Sequence, residues 1–392
     1  MYKEFSKTTS TALHAWSQAK ESSDFSLFAP HLAKIVALCK KKAELLTYQD
    51  HPYDALLDLY EPGMTVKKLS PLFSALKTSL LSLLQDIRLP CPKPLPSFFD
   101  PEEQMKLGKQ LLKLLGFSQR SCRIDLSSHP FCLGIHPKDT RITSRIFPDQ
   151  VISHILSTLH ESGHALYNMQ LPQELYGTPL CEPASYGIDE SQSRLWETFI
   201  GRSLSFWSFF YPNLQQSFPQ LALYSLQDFY HSIHTVTPSC IRVEADEVTY
   251  SLHIILRFEI EKALFEGLSV QEIPSLWNQK MKELLGIIPS QDKEGCLQDI
   301  HWAMGAFGYF PSYALGNLFA AQLFETLKKA FPLEKQISQG NFQEIRNWLN
   351  THIHQHGKLY LPDELIEQVT HTPLQPTAYI QYLQDKYLHW NE

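Results

Sequence analysis

The segment His160-Glu161-Ser162-Gly163-His164 holds three side chains that could do chemistry together. Residues four apart on an α-helix lie on the same side, so both imidazoles can reach one metal ion. Glu161 sits beside the first histidine and could act as general base toward a water molecule on that ion. The pattern therefore predicts half of a zinc site with its base already in place.

A catalytic zinc site needs a third protein ligand from another element, and a His-Glu-x-x-His match alone also arises by chance on long helices. Glu190 is the candidate, because apolar residues within 188–200 predict a second buried helix around it. The intervening residues 171–187 include three prolines and two glycines, which predict a loop. We expect the metal to be bound by His160, His164 and Glu190.

The elements that must position these residues can be read from the apolar pattern. A helical stripe leads into the first histidine, and it consists of Val151, Ile152, Ile155, Leu156 and Leu159. Upstream, residues 123–126 and 140–146 alternate as strands do, which predicts a small antiparallel sheet immediately before the zinc helix. An edge strand there could hold an extended substrate by backbone pairing, or it could only buttress the core.

Taken together, the motifs resemble those of the carboxypeptidase Taq family of zinc metallocarboxypeptidases. The resemblance runs from about Trp16 to the C-terminus and extends well beyond the zinc motif. The matching segments are His129-Pro130-Phe131 (HPF), Asp139 to Thr143 (DxRxT), Glu190-Ser191-Gln192 (HES/GQ), Ile241 to Asp246 (IRxxAD) and Gly295 to Trp302 (GxxQDxHW).

Two departures from the family pattern stand out. The HES/GQ motif begins with histidine in the family, whereas this chain has Asp189, which puts contacts around the metal or the substrate in question. The region before His160 is also shorter than is usual for the family. We expect this apparently shortened N-terminal region to affect the cleft, the dimer or the activity.

The resemblance also suggests how a substrate is bound. Arg242 matches the arginine of IRxxAD, and a guanidinium can bind the free C-terminal carboxylate of a peptide with two hydrogen bonds. Gln298 and His301, from GxxQDxHW, could complete that pocket. Arg141 is a further candidate for substrate binding, although it could instead make a structural ion pair.

Two tyrosines follow the GxxQDxHW segment and are candidates for catalysis. The tetrahedral intermediate of peptide hydrolysis needs a donor for its oxyanion, and similar metallopeptidases use a tyrosine. Tyr309 and Tyr313 both fit, and each could equally be a core tyrosine with a satisfied hydroxyl.

Composition excludes several other classes of protein. The net charge of −7 is spread along 392 residues without a basic stripe, which argues against nucleic acid as a partner. Seven scattered cysteines form no C-x-x-C pair. No signal peptide and no run of about 18 apolar residues is visible, so we expect a soluble, cytoplasmic protein without a membrane partner. The family resemblance implies a homodimer.

The expected fold is mainly α, a large helical zinc-peptidase body with a cleft and a small antiparallel sheet before the zinc helix. We expect residues 1–392 to form a single metallocarboxypeptidase catalytic domain. A proline-rich connector, 90–96, would separate an N-terminal helical subdomain, 1–89, from a zinc-binding subdomain, 90–392.

The expected function is hydrolysis of the C-terminal peptide bond of peptides, with broad specificity, by zinc-activated water and Glu161 as general base. Co²⁺ or Mn²⁺ could replace Zn²⁺ with these ligands. Two alternatives remain. One is a metallo-oligoendopeptidase with the same metal chemistry, and the other is a catalytically impaired relative that only binds peptides.

Overall fold

The computed structural model describes residues 1–118 and 120–388. The chain is mainly helical, as predicted from the sequence. In chain order its helices are α1 (Tyr2–Ser22), α2 (Phe25–Leu46), α3 (Asp54–Leu57), α4 (Val66–Asp86), α5 (Pro101–Leu114), α6 (Val151–Gln170), α7 (Tyr186–Arg194), α8 (Leu204–Ser217), α9 (Leu226–Ser232), α10 (Tyr250–Glu266), α11 (Ile273–Leu285), α12 (Pro311–Ala330), α13 (Leu333–Ser338), α14 (Gln343–His352), α15 (Pro362–Thr370) and α16 (Thr377–Tyr387). Within the described ranges, no helix has the length and apolarity that a membrane crossing requires.

The chain divides into two compact units. The first unit contains residues 1–87, residues 236–314 and the chain from Leu383 onward, and the second contains residues 88–235 and 315–382. The expected division at residues 89 and 90 into an N-terminal and a zinc-binding subdomain stays a prediction.

In the first unit, a buried carboxylate holds three separate segments together. Glu261 of α10 accepts hydrogen bonds from the Tyr53 hydroxyl at 2.5 Å, the Trp302 indole at 2.8 Å and the Gly308 amide at 3.0 Å. Burial raises the pKa of Glu261 to about 7, although these three donors oppose the shift. The contacts fix residues 302–308 against α3 and α10.

In the second unit, strands β1 (Cys122–Leu126), β2 (Phe131–His136) and β3 (Asp139–Ser144) form one sheet in the order β1-β3-β2. The prediction of a wholly antiparallel sheet was wrong, because β1 runs parallel to β3 and only β2 is antiparallel to it. β2, which lies between the two predicted strands, was not predicted from the sequence. β2 and β3 form a hairpin, and β3 is the central strand, with β1 parallel to it on its other side.

Asp100 followed by Pro101 predicts the start of a helix and Gly116 predicts its end, and helix α5 agrees with both. The Asp100 side chain accepts hydrogen bonds from the amides of Glu102 and Glu103 at 2.9 and 3.1 Å, and Pro101 occupies the first helical position. The chain leaves the helix through Gly116, whose φ of +79° suits glycine.

Helix α6 carries a buried histidine on the face toward β3 and α5. The Nδ1 atom of His154 lies 2.8 Å from the hydroxyl of Ser144, and its ring packs directly against Gly108. Burial lowers the pKa of His154 from 6.5 to about 4. An unfolded chain therefore takes up a proton here at a higher pH than the folded chain does.

This difference predicts a pH-dependent effect of His154→Gln. Below pH 6.5 the unfolded state binds a proton at His154, whereas the folded state binds it only near pH 4. His154 therefore lowers the free energy of unfolding by about 1.4 kcal/mol for each pH unit that the pH falls between these two values. We expect the variant to be less stable than the unaltered protein at pH 7, with a gap that narrows by pH 5. Urea unfolding at both pH values measures the gap.

The matched control is His14→Gln, which removes an exposed histidine. If the gap between His154→Gln and the unaltered protein is the same at pH 7 and pH 5, His154 is not the buried neutral group described here.

Candidate metal centre

Two histidines on consecutive turns of α6 face the same pocket of the second unit. The ring centroids of His160 and His164 are 5.1 Å apart, and Glu161 lies beside them with only 5% of its surface exposed. The helix that presents them is held by its buried apolar face, which includes Val151, Ile155 and Leu159. The predicted apolar stripe therefore does position the pair.

Helix α7 brings the third group. Ser185 caps its start by accepting a hydrogen bond from the Ile188 amide at 3.0 Å, and Glu190 follows one turn later. One Glu190 carboxylate oxygen lies 4.0 Å from Nε2 of His160 and 3.8 Å from Nε2 of His164. Helix, loop and helix thus bring together the three side chains expected from the sequence.

The two helices can approach this closely because of Gly163, which lies between the two histidines. A β-carbon at this position would be 2.4 Å from the backbone oxygen of Gln192 in α7, well inside contact distance. Any side chain here would push α6 and α7 apart and move Glu190 away from the imidazoles.

A second glycine makes room for Glu190 itself. Gly316 lies in α12, where a β-carbon would be 2.5 Å from Cγ of Glu190. The next residue, Asn317, is fully buried and accepts a hydrogen bond from Nε of Arg194 at 2.7 Å. Helix α12 therefore both leaves space for the Glu190 side chain and holds the end of α7.

Both histidines have a carboxylate on the side of the ring that faces away from Glu190. Nδ1 of His160 lies 2.9 Å from Glu197, and Nδ1 of His164 lies 3.1 Å from Asp189. Glu197 belongs to a π-helical segment, Leu195–Ile200, that continues α7, and π-helical turns are frequent at functional sites. The residue that departs from the family motif thus touches one of the two histidines.

The carboxylates set the charge of the pocket. Burial raises the pKa of Glu161, an effect that His160 and His164 oppose. Burial would also raise the pKa of Glu197, but the guanidinium of Arg194 at 2.9 Å, together with His160, holds it well below its ordinary value.

Burial would lower the pKa of His164, yet the surrounding carboxylates raise it to about 10, with Asp189 contributing most. The pocket thus has an excess of negative charge that favours a cation.

These residues fit a divalent metal ion. The candidate ligand atoms of His160, His164 and Glu190 lie within 4.8 Å of one another, and one carboxylate with two imidazoles is a donor set of catalytic zinc sites. The Nδ1 contacts leave both Nε2 atoms facing the same point.

Three of the four predicted substrate residues, Arg242, Gln298 and His301, lie in the first unit. Two nitrogens of the Arg242 guanidinium, Nε and Nη2, donate to the same Asp299 oxygen at 3.1 and 2.8 Å. Arg257 binds the other Asp299 oxygen at 2.7 Å through its Nε. Gln298 accepts a hydrogen bond from the Arg242 amide at 2.9 Å and donates one to the Cys240 carbonyl at 3.0 Å. Asp299 thus fixes the guanidinium and Gln298 fixes the backbone.

The two candidate tyrosines are in the same cluster. Nε2 of His301 lies 3.1 Å from the Tyr313 hydroxyl, and the Tyr309 and Tyr313 ring centroids are 5.2 Å apart. Burial and the nearby guanidinium groups lower the pKa of His301 to about 4, so this imidazole is neutral at pH 7.

Arg141 differs from the other candidates. It lies on β3 with half of its side chain exposed, and it pairs with Asp139 at 3.2 Å. This exposed ion pair is the structural alternative considered for Arg141 from the sequence.

Some residues of the site carry no recognisable motif. Glu197 and Arg194 were not predicted, although Glu197 is two helical turns after Glu190 and therefore on the same side of a helix. Asn317 and Gly316 come from a distant part of the chain, and nothing local in the sequence indicates that they meet Glu190. Asp299 lies inside GxxQDxHW, but its two arginine partners become evident only in the folded unit.

Two histidines on one helix and a carboxylate from the next form the ligand set of many zinc metallopeptidases. The profile of the carboxypeptidase Taq (M32) metallopeptidases matches residues 1–387. Carboxypeptidase 1 of Bacillus subtilis is 44% identical over 98% of this chain and 78% of its own length. Thermostable carboxypeptidase 1 of Thermus thermophilus is 43% identical over the same shares.

Solved structures agree with the sequence comparisons. The structure of the Pyrococcus furiosus carboxypeptidase superposes with a TM-score of 0.95 at 39% identity, over 99% of this chain and 80% of that one. The chain belongs to the carboxypeptidase Taq (M32) family of metallopeptidases, and it is a metallocarboxypeptidase whose family uses a divalent metal ion.

The space that Gly316 leaves for Glu190 predicts a loss of metal binding in Gly316→Ala. The added methyl group would displace the Glu190 side chain, so we expect the dissociation constant for zinc to rise by about 10-fold or more. Competition with a fluorescent chelator measures this constant.

Alanine raises helix propensity by about 1 kcal/mol relative to glycine, so a weakened helix would not explain the loss. Lys329→Ala, at the exposed end of the same helix, is the control and should bind zinc normally. Unaltered zinc binding by Gly316→Ala would contradict a metal site in which Glu190 is a ligand held in place by its packing against Gly316.

Proposed function

We propose that the protein is a zinc-dependent carboxypeptidase that hydrolyses the C-terminal peptide bond of peptides with broad specificity. The observation that carries this proposal is the convergence of His160, His164 and Glu190 beside the buried Glu161 in a member of the M32 family. Zinc is the proposed ion because it favours two imidazoles and one carboxylate, a set that Co²⁺ or Mn²⁺ would also accept.

When bound, zinc acts as a Lewis acid and lowers the pKa of water. Glu161 is the proposed general base, which takes a proton from the attacking water and delivers it to the departing amine. The burial that raises the pKa of Glu161 suits this exchange, because a base that must also give up its proton works best near the operating pH.

Arg242 is the proposed anchor for the terminal carboxylate. The Asp299 contacts fix its guanidinium in one orientation, and its Nη1 lies 3.3 Å from the Tyr250 hydroxyl. Gln298 holds its backbone, and neutral His301 could add a donor. All of these groups recognise features that every peptide end shares, which supports broad specificity.

Three further assignments complete the proposal. Tyr309 or Tyr313 would donate to the oxyanion, and the contact between Tyr313 and His301 gives Tyr313 a defined orientation. Arg141 would contact substrate only by exchanging its Asp139 partner. We also expect the protein to be a cytoplasmic homodimer, in keeping with its seven free cysteines and its family resemblance.

Paired peptides with a free or an amidated C-terminus test this function. We expect the zinc-loaded protein to release the last residue of the free peptide, and amidation to slow that release by about 100-fold or more because it removes the charge that Arg242 would bind. Glu161→Gln should keep its zinc and lose about 10²–10⁴-fold in rate. Mass spectrometry of the products and metal analysis provide both readouts.

The exposed carboxylate of Glu174 offers a matched control, and Glu174→Gln should cleave at the unaltered rate. Internal cleavage of the amidated peptide at an undiminished rate would identify an oligoendopeptidase. Zinc-loaded protein that binds both peptides and cleaves neither would be an impaired relative, and either result would overturn the proposal.

A further inference from the structure

The two histidines of the candidate metal centre are each backed by a carboxylate, and the two carboxylates differ in their surroundings. Glu197 lies 2.9 Å from Nδ1 of His160, and Asp189 lies 3.1 Å from Nδ1 of His164. The contact of His160 is a hydrogen bond, whereas Nδ1 of His164 and its Asp189 oxygen lie close together without the alignment of a hydrogen bond, so their contact is electrostatic. A carboxylate cannot donate a hydrogen bond, so in the neutral imidazole that metal binding requires, each contact favours the proton on Nδ1 and leaves the lone pair on Nε2.

This choice of tautomer decides whether the imidazoles can bind a metal ion. A neutral imidazole has one protonated nitrogen, and only the other can be a ligand. With the proton on Nδ1, the free Nε2 atoms lie 4.0 and 3.8 Å from the same oxygen of Glu190. The opposite tautomer would aim an N–H group of each histidine into the pocket.

Glu197 is part of a neutral, rigid arrangement. Arg194 donates to the Glu197 oxygen that contacts His160, at 2.9 Å, and a second Arg194 nitrogen donates to Asn317 at 2.7 Å. Arg194 and Asn317 are both buried, with 8% and 0% of their surfaces exposed. The charge of Glu197 is therefore balanced by a cation that is itself held in place.

Asp189 has no such counter-charge. Across residues 1–118 and 120–388, no lysine or arginine lies within 4.0 Å of its carboxylate, whose side chain is 27% exposed. It is also next to Glu190 in the chain, so the position of Asp189 depends on the same turn of α7 that positions this candidate ligand.

We propose that Asp189 and Glu197 are positioning residues that hold His164 and His160 in the metal-binding tautomer, Asp189 by its unbalanced charge and Glu197 as part of a fixed ion pair with Arg194. The inference rests on the proposed metal function of His160 and His164. Residues that orient ligating histidines in this way typically change metal affinity by about 10–100-fold when altered.

Zinc affinity of the metal-free protein and its variants tests the assignment. We expect the dissociation constant for zinc to rise by about 10–100-fold in Asp189→Ala and in Glu197→Gln. Asp189→Asn should fall between Asp189→Ala and the unaltered protein, because an amide oxygen can still accept from Nδ1 but carries no charge. Arg194→Met should weaken zinc binding less than Glu197→Gln, since it leaves the carboxylate in place.

A second measurement does not depend on any variant. Nitrogen-15 NMR of the unaltered zinc-loaded protein reports which ring nitrogen carries the proton, and we expect Nδ1–H for both His160 and His164. The control for the affinity series is again Glu174→Gln, which removes an exposed charge from the same unit and should leave zinc binding unchanged.

Two outcomes would overturn the inference: zinc binding by Asp189→Ala as tight as in the unaltered protein, or a proton on Nε2 of either histidine. Neither readout requires peptide hydrolysis. If the variants show the expected affinity series but the protein cleaves no peptide, the positioning roles would stand and the proposed function would be wrong.

Discussion

The close approach of α6 and α7 at Gly163 is the contact on which the rest of the site depends. A zinc ligand set needs three donors around one point, but a single helix can offer only two from consecutive turns. The third must come from another backbone, and here that backbone passes so near that a β-carbon would collide with it at 2.4 Å. The loop before α7 and the cap at Ser185 bring the chain back to that contact.

The cost of this geometry is a concentration of buried negative charge. Glu161, Glu190, Glu197 and Asp189 surround two imidazoles, and among the residues that the structure describes only Glu197 has an arginine partner, at 2.9 Å. Carboxylates buried together repel one another unless a cation joins them. A divalent ion would relieve that repulsion. The same carboxylates therefore destabilise the metal-free protein and favour metal binding.

The sequence pattern predicted those features that are determined by residues close together in the chain. The apolar stripe of α6, the start of α5 at Asp100 and the carboxylate of Glu190 all follow from spacing and capping chemistry. The parallel pairing of β1 with β3 could not be predicted in this way, because strand order is set by the packing of the whole unit. Gly316 and Asn317 were missed for the same reason, since they meet α7 from more than a hundred residues away.

Zinc-edge anomalous diffraction from crystals of the zinc-loaded protein would locate the ion relative to its three candidate ligands. We expect one strong peak in each chain, about 2.0–2.2 Å from Nε2 of His160, Nε2 of His164 and a carboxylate oxygen of Glu190. A peak bound elsewhere, or one at the two histidines with Glu190 outside bonding distance, would contradict it.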